Sequence, residues 1–574
     1  MKPAGVRIAA AVLSGLLLAA AFPKLEQAWL AWIGFVPLLL AVRGIGARRA
    51  ALLGWITGFV WQVATIYWIP STISNFTAIP PIAAKMILVL LAGFSAYPFV
   101  ILAAFSEWIS QARPARVPEG GLSRLLTLPA VWVVAEWLRV VVIAGFPWNP
   151  VGNTQIAYVT MAQAADLGGV YLLSAIIVLA NVAIVEALAA RRAGAGSMMV
   201  PAIAGRLAIA VACPLLLFAY GMWRLDELDA IPYTGSLKVG IAQGNIAQDE
   251  KWNQRLRDRI LEKYLDLTNQ AASAGAQLVV WPEAALPFYI QRDMRSLELT
   301  RVARERGIDL LVGAPGIVEH EGGSLTPYNQ AWLVRSSGDV EGPYNKIQLV
   351  PFGEYIPFYG LFGMVKVAVQ SVGQLGAGTE YKIFDTVELS PPAAAGSASN
   401  APPRATSGAA EAGTASATAA TASAPGAAKR PARFATLICY EGIFPTLTRS
   451  FAAEGADFLV NISNDAWYGD TSAPHQHLAM AAMRTIENRL PMVRSTNTGI
   501  SAFITDEGRI GPVTPLFHED MVVETVLVRD VWSFYRAYGD VFLHLCQAFV
   551  AVVLVAGAYR RRMLRAARRA ATPP

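Results

Sequence analysis

Ala435-Thr436-Leu437-Ile438-Cys439-Tyr440-Glu441-Gly442-Ile443-Phe444-Pro445 is an apolar, β-prone run that ends on one cysteine. Glu441, Gly442 and Pro445 break the strand, and a helical pattern follows over 446–453, closed by Gly455. A thiol at a strand-to-helix turn lies near backbone N–H groups and the positive end of a helix, an arrangement that favours thiolate. The chain has three cysteines, and Cys213 and Cys546 lie inside long apolar runs. Cys439 is therefore a candidate nucleophile with no evident disulfide partner. Taken alone, a single cysteine is more often a small buried hydrophobe, so the residues around it must decide.

Outward from this stretch, strands and helices alternate over 226–535. The pattern predicts strands at 237–246, 278–281, 308–314, 434–439, 458–462, 492–495 and 500–505, a hairpin formed by 328–334 and 342–350, and a helix at 254–274. This is an α/β domain of about 300 residues, long enough to bury a substantial core. The exception is 391–431, almost entirely Ala, Gly, Ser, Thr and Pro, which reads as a disordered insert.

The 574 residues are 54% hydrophobic and 15% charged, with a mean hydropathy of +0.41. That balance excludes a wholly soluble protein. Apolar segments at 6–22, 28–42, 52–69, 83–105, 122–144, 161–188, 207–223 and 541–559 predict eight spans, seven of them in a membrane domain over 1–225. The first segment also fits a signal peptide, with Ala19 and Ala21 at a cleavage site; a retained span is the expectation. Arginines follow the second, fourth, sixth and eighth segments, the last in a basic tail within 536–574. Both termini are then cytoplasmic and the α/β domain lies on the opposite face. The +6 charge forms this topology signal rather than a nucleic-acid stripe, and no nucleic-acid partner is expected. With five histidines and no ligand spacing, neither a metal nor a cofactor is expected.

Two further residues sit beside strands. Glu283 ends Val279-Val280-Trp281-Pro282-Glu283, where desolvation makes a carboxylate a stronger base; the plain alternative is a helix-start carboxylate. Lys346 precedes Leu349-Val350-Pro351-Phe352-Gly353-Glu354 and would offer a fixed charge to an oxyanion; the plain alternative is a surface lysine. His475 and His477 are positioning or merely structural. The apolar segment 356–365, with Gly353, Gly360 and Gly363 as hinges, is expected to form a lid; the plain alternative is an ordinary buried loop.

WPE at 281–283, YNKIQLVPFGEY at 344–355 and CYE at 439–441, in that order, resemble the nitrilase (carbon-nitrogen hydrolase) superfamily and its Glu-Lys-Cys triad. GNIAQDEKW at 244–252, FPWN at 146–149, NISNDAWYG at 461–469, RSTNTGISA at 494–502 and FYRAYGD at 534–540 resemble the apolipoprotein N-acyltransferase family. That resemblance covers nearly the whole chain; only the 391–431 insert departs from it, and it replaces no motif. It implies an αββα sandwich docked on a membrane bundle, with Glu283 as general base, Lys346 as oxyanion stabiliser and Cys439 as nucleophile. Glu354, Trp252, Tyr440, Glu441, Trp148 and His477 are the implied supporting residues. The implied reaction moves an acyl chain from a phospholipid, through a Cys439 thioester, to the α-amino group of a diacylglyceryl-cysteine apolipoprotein. A monomer in the bacterial inner membrane, its α/β domain in the periplasm, is expected. Two other readings stay open: a tethered amidase that uses water, and a transporter or receptor using Glu107, Glu136, Arg139, Asp166 or Glu186 in or near the spans.

Overall fold

The computed structural model describes residues 3–111, 122–142, 145–192, 200–320, 323–355, 374–392 and 430–570. The expected lid at 356–365, with Gly360 and Gly363, lies outside the described residues, as does all but the edges of the 391–431 insert. At one of those edges Pro431 is already strand.

Twelve strands carry the α/β part: β1 (Gly235–Gln243), β2 (Leu278–Val280), β3 (Asp309–Glu319), β4 (Leu325–Val334), β5 (Val340–Asn345), β6 (Ile383–Glu388), β7 (Pro431–Ile438), β8 (Phe458–Ser463), β9 (Met492–Thr496), β10 (Ala502–Ile504), β11 (Ile510–Val513) and β12 (Asp520–Val528). They form two six-stranded sheets, ordered β12-β1-β2-β3-β4-β5 and β11-β10-β9-β8-β7-β6. Each has three parallel central strands, β1-β2-β3 and β7-β8-β9, flanked by antiparallel ones.

The period-two alternation of a strand assigns the faces. Leu237, Val239, Ile241, Leu278, Val280 and Leu311 point into one core with Leu437, Val460 and Ile462 of the other sheet. Ala242, Val279, Leu310 and Val312 point the other way, onto the helices Arg257–Ser273 and Ser296–Arg306. The helices Pro445–Ala453 and Ala473–Asn488 belong to the second sheet's side. The expected αββα arrangement is observed. The strands 383–388, 510–513 and 520–528 were not foreseen, because each is largely exposed or sits at a sheet edge without clean alternation.

The helical part departs from the expected eight spans. Among the described residues, Pro81–Ser110, Ala165–Arg191, Val200–Ala230 and Val541–Met563 are long and apolar enough to cross a membrane. Ala47–Thr65 and Ile69–Phe76, bent by 52°, make a fifth if counted together. Ala4–Ala20 has 17 residues; at about 1.5 Å per residue it is shorter than a hydrocarbon core of roughly 30 Å. Pro37 lies in a region split into short helical pieces, and Leu122–Val141 carries Arg124, Glu136 and Arg139.

Those ionisable groups are held by the protein itself. Glu136 Oε1 accepts the Val151 N–H (2.7 Å), and Arg139 donates to the Trp148 carbonyl. Asp166 accepts from Arg224 and Arg489, both at 2.7 Å. Glu186 pairs with Arg43 at 3.0 Å, and Glu107 accepts the Gly46 N–H at 3.2 Å. They tie helices and loops together, which removes the observation that favoured a transporter.

Candidate active site

The carboxyl ends of the parallel strands converge on one place, as open parallel sheets do at their ligand sites. β2 stops at Val280 because Pro282 has no N–H to continue the ladder. Trp281 is locked by stacking on Tyr264 (4.8 Å between centroids) and by donating Nε1–H to Thr268 at 2.8 Å. Glu283 follows, 7% exposed. Its Oε1 accepts from Asn329 Nδ2 at 2.6 Å and Lys346 Nζ at 3.4 Å, and its Oε2 from the Asn464 backbone N–H at 2.9 Å.

Lys346 is fully buried just past β5. Its ammonium donates also to Glu354 Oε1 at 2.8 Å, while Glu354 Oε2 accepts the Val350 N–H at 2.8 Å. Asn329 reaches Glu354 at 3.3 Å, so it bridges the same two carboxylates as the lysine. Burial is the largest influence on Lys346 and favours the neutral amine. Glu354 and Glu283 together outweigh it and hold the ammonium above the ordinary lysine range.

Cys439 immediately follows β7 with φ at 53°, in the left-handed region that a non-glycine residue occupies only under constraint. It is 6% exposed. Burial, then the Glu283 carboxylate, pushes its thiol well above the usual range, against the pull of Lys346. The expected helix-favoured thiolate is therefore corrected to a resting thiol. A 3-10 turn, Cys439–Ile443, intervenes before the helix begins at Pro445, so the helix's positive end is displaced from the sulfur.

The supporting residues divide. Glu441 is fully buried, and its Oε1 accepts from Tyr344 Oη (2.8 Å), Ile347 N (2.7 Å) and Gln348 N (3.0 Å). Its Oε2 accepts from Ile438 N at 2.6 Å. It therefore clamps the backbone just after Lys346 to the backbone just before Cys439. Burial raises its carboxyl to about 7, opposed by the Ile438 N–H and by Lys346. Tyr440 Oη donates to the Gly145 carbonyl at 2.9 Å, joining the cysteine turn to the helical part. Trp148 donates to Gln476 Oε1 at 2.7 Å and lies against the rings of Trp68, Phe146, Tyr468 and His477. His477 contacts the Cys439 carbonyl at 3.2 Å and Asp465 at 3.2 Å, and Arg494 binds Asp465 at 2.8 Å. His477 thus braces the cysteine's backbone through its carbonyl. Burial and Arg494 lower its pKa and keep the ring neutral. His475 is half-buried in the same helix, where the charges acting on it are Lys24 and Asp470. Trp252 is 52% exposed, at the end of the short helix Gln248–Lys251.

Sequence reasoning missed Asn329, Asn464 and Lys251 as parts of this site. Asn329 and Gln330 are polar residues in the apolar end of β4, a visible anomaly. Asn464 and Lys251 lie inside quoted motifs, but only the fold shows that they face Glu283.

The arrangement suits acyl transfer. A thiol is flanked by a carboxylate to take its proton and by an ammonium to face a developing oxyanion.

Residues 14–183 match the family model described as apolipoprotein N-acyltransferase N-terminal domain, and 238–534 match that described as carbon-nitrogen hydrolase. The apolipoprotein N-acyltransferase of Geobacter metallireducens is 36% identical over 558 residues, covering 96% of this chain and 95% of that protein. That of Brucella suis is 30% identical over 531 residues, covering 88% and 86%. Among solved structures, a mutant of the Nesterenkonia AN1 amidase from the nitrilase superfamily superposes with a TM-score of 0.36 at 18% identity, covering 55% of this chain and 98% of that one.

Proposed function

The chain belongs to the apolipoprotein N-acyltransferase family, and from that premise we propose that it N-acylates lipoproteins from a phospholipid donor by a two-step, ping-pong route through Cys439. Glu283 takes the thiol proton as sulfur attacks an ester carbonyl. The oxyanion faces Lys346. Collapse expels the lysophospholipid alkoxide, which regains the proton from Glu283, and a thioester remains. The free α-amino group of an S-diacylglyceryl cysteine then attacks. Glu283 accepts the amine proton, an amide forms, and the departing thiolate is reprotonated. A thioester is reactive enough toward an amine, whereas a phospholipid ester is sluggish.

The observation that carries this reading is the cluster itself: a resting thiol beside a carboxylate and a buried ammonium, with the Tyr440 hydroxyl reaching the helical part at Gly145. Substrates held in a bilayer require such a junction. We read the helical part as an eight-span bundle (seven before the α/β domain and one after). The α/β domain faces the periplasm from the inner membrane, and the protein acts as a monomer. Glu354 supports Lys346 and Glu283, and Trp252 borders the entrance.

The test is an acceptor assay with a diacylglyceryl-cysteine peptide and phosphatidylethanolamine vesicles. The peptide should gain one acyl chain per lysophospholipid formed. Free fatty acid with an unmodified peptide would instead favour the tethered hydrolase.

A further inference from the structure

The motif at 244–252 contains a second lysine that the reaction above does not use. Lys251 is 1% exposed. Its Nζ donates to the backbone carbonyl of Glu283 at 3.0 Å. The remaining charged or titratable groups acting on it are the Glu283 carboxylate and Cys439, from the ends of β2 and β7. Its own helix is stapled in place. Ile246 N donates to Asn497 Oδ1 (2.9 Å), Asn497 Nδ2 to the Ile246 carbonyl (2.7 Å), and Asn464 Nδ2 to Gln248 Oε1 (2.9 Å).

A buried ammonium is costly unless a charge compensates it. Here the compensation comes from the group that abstracts the nucleophile's proton. Gly313 packs closely on the same backbone: an added Cβ there would collide with the Pro282 carbonyl and lie 2.9 Å from Glu283 Cα. The Glu283 backbone is thus both tightly packed at Gly313 and held by a lysine.

We propose that Lys251 is a positioning residue of the transfer reaction: it holds the Glu283 backbone in register with Cys439, and its ammonium stabilises the negative charge that passes between them. This rests on the covalent reading above. Lys346 answers to Glu354 as well as to Glu283 and Cys439, whereas the charged or titratable groups acting on Lys251 are Glu283 and Cys439. When the proton moves from sulfur to Glu283, the negative charge moves to sulfur and stays within the field of Lys251. Burial lowers the Lys251 ammonium to about 8, opposed by Glu283 and Cys439. The charge is therefore present at neutral pH and is lost as pH rises through that value.

The experiment follows acylation of Cys439 in the full-length protein in detergent micelles. A short-chain p-nitrophenyl ester is the probe, read by mass spectrometry of the Cys439 peptide. Wild type, Lys251→Arg and Lys251→Met are compared from about pH 7 to about pH 9.5. A positioned general base contributes about 10²–10⁴ in rate, so losing its support should slow Lys251→Met about 10- to 100-fold at neutral pH. Lys251→Arg keeps its charge throughout, so the wild-type-to-Arg rate ratio should fall several-fold across the range. A flat ratio, or Lys251→Met within twofold of wild type, overturns the proposal. If Lys251→Met does not fold, the Arg ratio still decides. Absence of any wild-type adduct would refute the covalent reading, an outcome distinct from adducts that form alike in all three proteins.

Discussion

Removing the Glu441 carboxylate should separate the acylating machinery from the fold that carries it. Its four hydrogen bonds tie Ile347 and Gln348, next to Lys346, to Ile438, next to Cys439. In Glu441→Gln the amide oxygen at the Oε1 position keeps three donors, and the amide nitrogen then faces the Ile438 N–H. One bond is lost and one buried donor is orphaned, a cost of about 1–3 kcal/mol. If that cost falls on the Lys346–Cys439 geometry, acylation slows about 5- to 150-fold. Glu441→Ala strips all four donors. The relief of a buried carboxylate, one raised to about 7, offsets part of this, leaving a loss of about 3–5 kcal/mol by analogy with breaking buried charged networks. The sign with pH also follows. The folded carboxyl holds its proton up to about 7, above its ordinary value of 4.5. Stability contributed by this group is therefore present below 4.5 and declines as pH rises from there to 7. Glu441→Gln should lose that decline. The assay is the rate of Cys439 acylation by a short ester, with thermal unfolding in the same micelles. Glu441→Ala acylating within threefold of wild type would refute the clamp.

Three further outcomes follow from the geometry. Gly313→Ala should displace Glu283 by pushing on its backbone and that of Pro282, with acylation reduced at least about tenfold; a normal rate would mean the backbone yields. Wild-type Cys439 should alkylate slowly with iodoacetamide, with no steep rise between about pH 8 and 9 where ordinary thiols ionise, because burial and Glu283 hold its pKa high; glutathione-like acceleration in that window would contradict a resting thiol. Tyr440→Phe removes the bond to the Gly145 carbonyl, worth about 1 kcal/mol. It should slow acylation by vesicle phospholipid more than by a soluble ester, and equal effects on both would dissociate that bond from lipid delivery.

The α/β fold was legible where the sequence alternates cleanly. Val279-Val280-Trp281 before Pro282 and Thr436-Leu437-Ile438 before Cys439 mark strand ends, and both residues delivered there meet at the site. Lys346 was legible only through the resemblance that YNKIQLVPFGEY carries, since its neighbours alone fit a surface lysine more plainly. What escaped was partnership. Asn329 and Glu283 are 46 residues apart, and Asn464 and Glu283 are 181 apart; no local period links them. The thiol's state was misread because the helix end was weighed and the facing carboxylate was not. Only four or five of the eight expected spans stand out as long apolar helices among the described residues, because Leu122–Val141 carries the buried Arg124, Glu136 and Arg139 and the 28–41 region is broken into short helical pieces.

Mass spectrometry of the full-length protein after incubation with phospholipid, wild type beside Cys439→Ala, tests the central claim most directly. The account predicts a hydroxylamine-sensitive acyl adduct on Cys439, absent from the variant and discharged by a diacylglyceryl-cysteine peptide to give an amide. A folded wild type that acylates the peptide with no adduct, or a Cys439→Ala variant that acylates it equally well, would contradict covalent transfer through this cysteine.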